Sequence, residues 1–225
     1  MMIVLAVDTS GRHGSVALCR GDATSFEVLG QTSLEGGTYS ARLIPVISDL
    51  LHTASLTKSQ IDGLVVVDGP GSFTGLRVGL SSVKALCEIL QKPLATVSML
   101  EALAITYGSD GFMFTAVMDA GRGEVYAAEY EIARPGARLK RQFIVKLRDL
   151  GNQLSWTSRI ITTFPQVIDA LPGFASIEVV QELRADSIAR VGLRKLLAGE
   201  TADPATLDAN YIRRSDAELF SLPKH

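Results

Sequence analysis

Two segments of this chain carry residue types whose spacing chemistry can use. The longer is Asp68-Gly69-Pro70-Gly71-Ser72-Phe73-Thr74-Gly75-Leu76-Arg77-Val78-Gly79, between a compact apolar run and a helical pattern. Glycines at a helix start expose backbone N–H groups that suit a phosphate. The spacing nevertheless fails both common phosphate-loop patterns. No Lys follows Gly75, as G-x-x-x-x-G-K-[ST] requires, and Gly69, Gly71 and Gly75 give one residue too many for G-x-G-x-x-G. The segment therefore reads first as glycines that permit a tight turn and close helix–strand packing, with Arg77 on the surface. The second segment, Asp8-Thr9-Ser10-Gly11, is an acidic, hydroxyl-bearing turn after an apolar strand, built from residues that are also simply good turn formers.

Other chemistries have no handle. The three histidines, His13, His52 and His225, are scattered, with no H-x-x-x-H pair to place two imidazoles on one helical face. No metal ligand set and no catalytic residue is assigned. A G-x-S-x-G elbow is absent, which leaves acyl transfer without a nucleophile. Cys19 and Cys87 stand alone in apolar surroundings and read as buried, reduced thiols. Six basic residues without an acid, Arg134, Arg138, Lys140, Arg141, Lys146 and Arg148, alternate with Leu139, Phe143, Val145 and Leu147. They read as the polar face of a strand pair in preference to an RNA-facing strip.

The elements that must position these residues belong to an ordinary globular chain of 225 residues, 47% hydrophobic, 20% charged, with a formal net charge of −2. That balance excludes disordered and fibrous classes and offers no general attraction to a polyanion. The apolar start, Met1 to Val7, is too short for a membrane span and has no basic residue before it, so the chain is expected to be cytoplasmic, without a membrane association. Strands are expected over Met2 to Asp8, Gly14 to Arg20 and Phe26 to Leu34, then a helix from Tyr39 to Ala54. A strand Leu64 to Val67 and a helix Leu76 to Leu90 follow. Next come a strand Leu94 to Val97 and a helix to Tyr107 opened by a Ser98/Glu101 capping box. This first half is βββαβαβα.

At Phe112 the pattern restarts. Asp119 closes a strand as Asp8 does, and Gly121-Arg122-Gly123 turns into a returning strand from Val125 to Ile132. An internal duplication with a period near 111 residues accounts for this, chance likeness of two hairpins being the plainer alternative. The second half is ragged, with strands near Phe143 and Ile160, a short helix Pro165 to Leu171, a strand Ile177 to Val180 and a helix Asp186 to Ala198. The division is therefore 1–110 and 111–225, with the C-terminal helix and tail able to pack back on the first domain.

The run Gly69-Pro70-Gly71-Ser72-Phe73-Thr74-Gly75-Leu76-Arg77-Val78-Gly79 resembles the signature of the TsaB (YeaZ) family. The likeness extends over nearly the whole chain: the I-V-L-A-V-D-T-S start, Leu43-Ile44-Pro45, Val97-Ser98-Met99-Leu100-Glu101-Ala102-Leu103, Met118-Asp119-Ala120-Gly121-Arg122-Gly123-Glu124-Val125-Tyr126 and Tyr211-Ile212-Arg213. The resemblance implies an actin-like (ASKHA) fold of two RNase H-like domains, the second reduced. It also implies a non-catalytic subunit. Such a subunit binds the paralogous carbamoyltransferase TsaD and, with the ATPase TsaE, supports formation of N6-threonylcarbamoyladenosine next to the anticodon of tRNAs reading ANN codons. On this reading tRNA is met only through the complex, a homodimer forms when TsaD is absent, the chain has no cofactor of its own, and the interface with TsaD leaves room for a nucleotide.

The catalytic paralogue holds a metal through two histidines of the first long helix, where this chain has Tyr39-Ser40-Ala41-Arg42. Asp8, Thr9 and Ser10, with Gly69, Gly71, Ser72, Phe73, Thr74, Gly75 and Arg77, carry the family motif. The first two long helices are the implied partner face, through Leu43, Ile44, Ile47, Leu51, Leu76, Leu80, Val83 and Leu86, with Leu80 and Val83 expected near the centre of a four-helix bundle. The rival reading is an active ATP-dependent phosphotransferase or ATPase of the actin-like superfamily using Asp8 and the Gly69 loop. Against it stand Asp119-Ala120-Gly121, with no hydroxyl, and the lack of any Gly-Gly pair after residue 37 to cradle adenosine. A peptidase is a third reading, disfavoured by the missing histidine pair and nucleophile elbow.

Overall fold

The computed structural model of the chain describes residues 1–133, 136–154, 159–174, 176–210 and 212. Tyr211, Arg213, Arg134 and His225, singled out above, lie outside the described residues. The chain divides into two compact units: Met1–Ala102 with Glu182–Ala209, and Leu103–Gln181 with Asn210–His225. The division thus falls earlier than residue 110, inside a helix, and the first unit is discontinuous.

In the first unit β1 (Met2–Asp8), β2 (His13–Gly21) and β3 (Phe26–Glu35) form an antiparallel meander, followed by α1 (Tyr39–Thr53), β4 (Gly63–Gly69), α2 (Phe73–Leu90), β5 (Leu94–Ser98) and α3 (Met99–Tyr107). The strands are ordered β3-β2-β1-β4-β5, with β4 parallel to β1 and β5 parallel to β4. β1 is nearly all apolar because it is central and covered on both faces. α1 and α2 touch one another and pack over β3, β2, β1 and β4, whereas α5 (Ala185–Leu197) crosses β1, β2, β4 and β5 on the other face. Gly192 of α5 seats directly on Val65, 2.3 Å from where a Cβ would stand, so a side chain there would lift the helix from the sheet.

The second unit repeats the scheme. β6 (Met113–Gly121), β7 (Glu124–Ala133) and β8 (Gly136–Lys146) form a meander, and β9 (Arg159–Thr162), α4 (Gln166–Ala170) and β10 (Ile177–Val179) follow. The sheet order β8-β7-β6-β9-β10 is the first sheet's order again. The coverings are reduced. A 3-10 segment, Leu147–Gln153, stands where the first unit has α1, and the five residues of α4 stand where it has α2. Leu150, Leu154, Val167 and Leu171 from these short pieces close a core with Val117, Val125, Ala127 and Ile160 of the sheet. Of the basic run, Arg138, Lys140, Arg141 and Lys146 lie on β8 and Arg148 on the 3-10 segment; Arg141 makes a two-point contact with Glu129 of β7 (2.8 and 2.7 Å) and Lys140 meets Glu131 at 2.6 Å. That is the polar face of a strand pair.

Three local expectations need correction. α2 begins at Phe73 instead of Leu76, because Ser72 caps it, its hydroxyl accepting from Gly75 N at 3.3 Å. The Ser98/Glu101 capping box does not form: Ser98 Oγ is buried without a hydrogen-bond partner, and Glu101 accepts from Lys195 of α5 at 2.6 Å. A charged donor is the stronger partner for a carboxylate than a backbone amide. Finally, five of the eight side chains assigned to a partner face are part of the chain's own core: Leu43, Ile47, Leu76, Leu80 and Val83 are all buried. On α2 the positions 76, 80, 83 and 87 follow a 3–4 spacing and form the inward stripe. Ile44 is half exposed, Leu51 and Leu86 are partly so, and Ile89 of α2 is 68% exposed.

Candidate functional site

The family motif and the Asp8 turn meet in the first unit. β1 delivers Asp8, Thr9 and Ser10 at its C-terminal end, all three buried. β4 ends at Gly69, its peptide to Pro70 is cis, and the chain then crosses the Asp8 turn into α2. Ser72 N donates to Ser10 O at 2.6 Å, and Thr9 Oγ1 donates to Gly75 O at 2.7 Å. The glycines make room for this approach. A Cβ on Gly71 would stand 2.4 Å from Ser10 O, on Gly75 2.0 Å from Thr9 O, and on Gly79 2.2 Å from Thr9 Oγ1. Residues 71, 75 and 79 are spaced by four, so the small positions of the loop and the first turns of α2 form a continuous seat for the turn. The long glycine signature is a packing device that locks the β1–β2 turn to the start of α2.

Asp8 is held within the same lock. Its Oδ1 accepts from Ser10 N at 2.8 Å and from Ser10 Oγ at 2.7 Å. Burial pushes its carboxyl up from the ordinary value, the Ser10 hydrogen bonds pull it back down, and nearby Glu182 adds to the rise. Tyr39 is buried where α1 begins. Its hydroxyl donates to Gly11 O at 2.8 Å, its ring abuts Gly14, and burial pushes its pKa up to about 12. The chain thus fills with a packed phenol the place where the resemblance puts a histidine. Phe73, Thr74 and Arg77 face outward, with the Arg77 guanidinium stacked 3.8 Å over the Phe73 ring.

The second unit keeps the turn and lacks the lock. Asp119 Oδ1 accepts from Gly121 N at 2.8 Å, the same two-residue reach that Asp8 makes to Ser10. Asp119 is exposed, however, and no atom lies within 4 Å of a Cβ built on Gly121 or Gly123.

A third cluster escaped the sequence reading. Lys195 Nζ of α5 donates to Glu101 at 2.6 Å and to Thr96 O at 3.2 Å. Asp68 lies near it, with Oδ1 buried and unpartnered; burial raises its carboxyl, while the Thr96 hydroxyl and Lys195 oppose the rise. Glu101 and Lys195 are 94 positions apart, and no local pattern announces the pair.

An actin-like fold raises the question of a nucleotide, and these residues do not fit one at the glycine loop. The space that missing Cβ atoms leave at Gly71, Gly75 and Gly79 is filled by Thr9 and Ser10, and the amides of Ser72 and Gly75 already have partners inside the loop. Among the described residues no group of three His, Cys, Asp or Glu side chains lies close enough to hold a metal ion.

Two five-stranded sheets of identical order, the second with reduced coverings, define an actin-like α/β protein of two RNase H-like units. The YeaZ structure from Pseudomonas aeruginosa shares this fold, at TM-score 0.77 and 23% identity over 94% of this chain and 100% of that one. The family model for TsaD, tRNA N6-adenosine threonylcarbamoyltransferase, matches residues 34–140. The tRNA threonylcarbamoyladenosine biosynthesis protein TsaB of Bacillus subtilis is 27% identical over 96% of both chains. That of Escherichia coli is 35% identical over 58% of this chain and 55% of its own length. Over nearly its whole length the chain is similar to proteins of the TsaB (YeaZ) family.

Proposed function

We propose that this chain works in the formation of N6-threonylcarbamoyladenosine in tRNA as a non-catalytic scaffold, binding and activating the carbamoyltransferase TsaD together with the ATPase TsaE. A role in this modification is what the names of the TsaB relatives state of those proteins. The observation that carries the non-catalytic part is the closure of the glycine loop on Thr9 and Ser10, which fills the space beside Gly71, Gly75 and Gly79 and engages the amide of Ser72. The partner face is proposed on the outer sides of α1 and α2, through Ile44, Leu51, Leu86 and Ile89, whose apolar surface is exposed or partly exposed among the described residues. A second copy occupies that face when TsaD is absent, and tRNA is met through the assembled complex.

The test is reconstitution. The chain mixed with its cognate TsaD is expected to elute as a heteromeric complex, and modification of tRNA is expected only when both, with TsaE, are present. The chain alone is expected not to hydrolyse ATP. ATP turnover by the isolated chain that Asp8→Ala abolishes would replace this reading with the phosphotransferase one.

A further inference from the structure

A cleft of about 410 Å³ opens in the first unit beside the glycine loop, between the β1–β2 turn, the β3–α1 loop and the starts of α1 and α2. Its lining contains one charged side chain, Arg12, and four hydroxyl-bearing residues, Ser40, Ser72, Thr74 and Tyr39, the last with its hydroxyl donated to Gly11 O; none of its ten residues is acidic. The Arg12 side chain is exposed, and no ion pair among the described residues engages it. Its backbone is fixed from two sides. Arg12 O accepts from Gly36 N at 2.8 Å, and the adjoining Gly11 O accepts from Tyr39.

Three main-chain amides nearby have partners, Gly75 N on Ser72 Oγ and Ala41 N and Arg42 N on Thr38 O at 3.0 and 2.9 Å, and the side-chain donors are Arg12 and the hydroxyls. Because Ser72 Oγ accepts from Gly75 N, its own O–H is left to point elsewhere. A guanidinium with hydroxyls and no carboxylate is a donor set for a compact oxyanion, with the fork of Arg matching two phosphate oxygens at once. Val78 and the Tyr39 ring supply an apolar wall, and the volume is that of a small-molecule site.

We propose that this cleft binds the phosphate group of a small molecule, held by Arg12 and the hydroxyls of Ser40, Ser72 and Thr74. The site uses the outward side chains of Ser72 and Thr74 of the glycine loop and does not rest on the partner face proposed above. Inorganic phosphate and a phosphate monoester present the same chemistry to it, and the experiment separates them.

The full-length chain is titrated by calorimetry at low ionic strength with inorganic phosphate, AMP and adenosine in turn. Saturable binding of phosphate and AMP, with none of adenosine, is expected. Arg12→Ala should weaken both by about tenfold or more, as loss of a charge-assisted contact does, and Thr74→Ala by about threefold. Arg12→Gln keeps most of the stem, so it repeats the measurement should the alanine variant misfold, with melting curves checking each protein. AMP binding tighter than phosphate assigns the site to a phosphorylated metabolite, and equal affinities assign it to the free ion. Absence of saturable binding, binding of adenosine as tight as AMP, or affinities that both Arg12 variants leave unchanged overturn the proposal.

Discussion

The Thr9 hydroxyl donates a 2.7 Å hydrogen bond to the Gly75 carbonyl, and the same oxygen lies 2.2 Å from where a Cβ on Gly79 would stand. One side chain therefore both binds α2 and limits what α2 can carry. Gly79→Ala gains about 1 kcal/mol of helix propensity, while overpacking a close contact costs about 1–3 kcal/mol. The variant is expected to be less stable than the parent by thermal melting, since the contact is far inside van der Waals distance. Thr9→Ala removes the obstructing oxygen, so the double variant should be destabilised by less than the sum of the two singles, with a coupling of about 1 kcal/mol. Gly75→Ala meets the main-chain carbonyl of Thr9, and Thr9→Ala should not rescue it. Additive effects in the first pair, or rescue in the second, would show that the glycines are not seated as described.

Asp8 predicts a pH dependence with a definite sign. Its folded-state carboxyl is raised above the unfolded value by burial. The folded form thus holds its proton more tightly than the unfolded chain, and that contribution is fully present below the unfolded pKa of about 3.9 and lost as pH rises through the raised one. Asp8→Asn keeps an acceptor for Ser10 and removes the buried charge. The melting temperature of Asp8→Asn minus that of the parent should increase between pH 4 and pH 8. A difference that stays constant across this range would mean that burial does not control this carboxyl.

Lys195 sits between α5, β5 and α3, and its loss leaves Glu101 and Asp68 without the cation near them. The pair is only partly shielded, with 23% and 15% of the side chains exposed, so its removal should cost less than a fully buried pair and more than a surface one. Lys195→Met is expected to destabilise by about 1–3 kcal/mol, and Lys195→Met with Glu101→Gln by clearly less than the sum of the singles. Urea unfolding of the four proteins measures the coupling. Strict additivity would show that the two groups do not act on one another.

Much of this architecture is legible along the chain. The strand end at Asp8, the meanders, and the short helix before β10 all follow from apolar runs closed by turn residues, whereas β6 runs past Asp119 to Gly121. The start of α2 does not, because Gly75 reads as loop until Ser72 is seen to cap it. The role of the glycines is half legible: their number signals close approach, but that the approaching group is the Thr9–Ser10 turn depends on contacts more than 60 positions apart. Ser98 and Glu101 form a plausible local cap that a lysine 94 positions from Glu101 overrides. The burial of Leu76, Leu80 and Val83 is not legible for a related reason. α2 is apolar on more than one side, and its sequence does not say which side the sheet takes.

That division of α2 yields the last prediction. Leu80 and Val83 are buried against the chain's own core, whereas Ile89 is 68% and Ile44 50% exposed. An aspartate at position 80 or 83 would place an unpaired charge in the interior at a cost of several kcal/mol, and the expected outcome is a protein that melts far below the parent or does not fold. Ile89→Asp and Ile44→Asp add a charge in water and should leave the melting temperature nearly unchanged. If the outer sides of α1 and α2 are where a partner docks, these two variants strand that charge in a desolvated contact and weaken association by a factor of about 100 or more. Sedimentation of each folded variant, alone and with TsaD, reads the effect directly. Folded Ile44→Asp and Ile89→Asp proteins that dimerise and bind TsaD as the parent does would remove this face from the proposal, whichever way the Leu80 and Val83 variants behave.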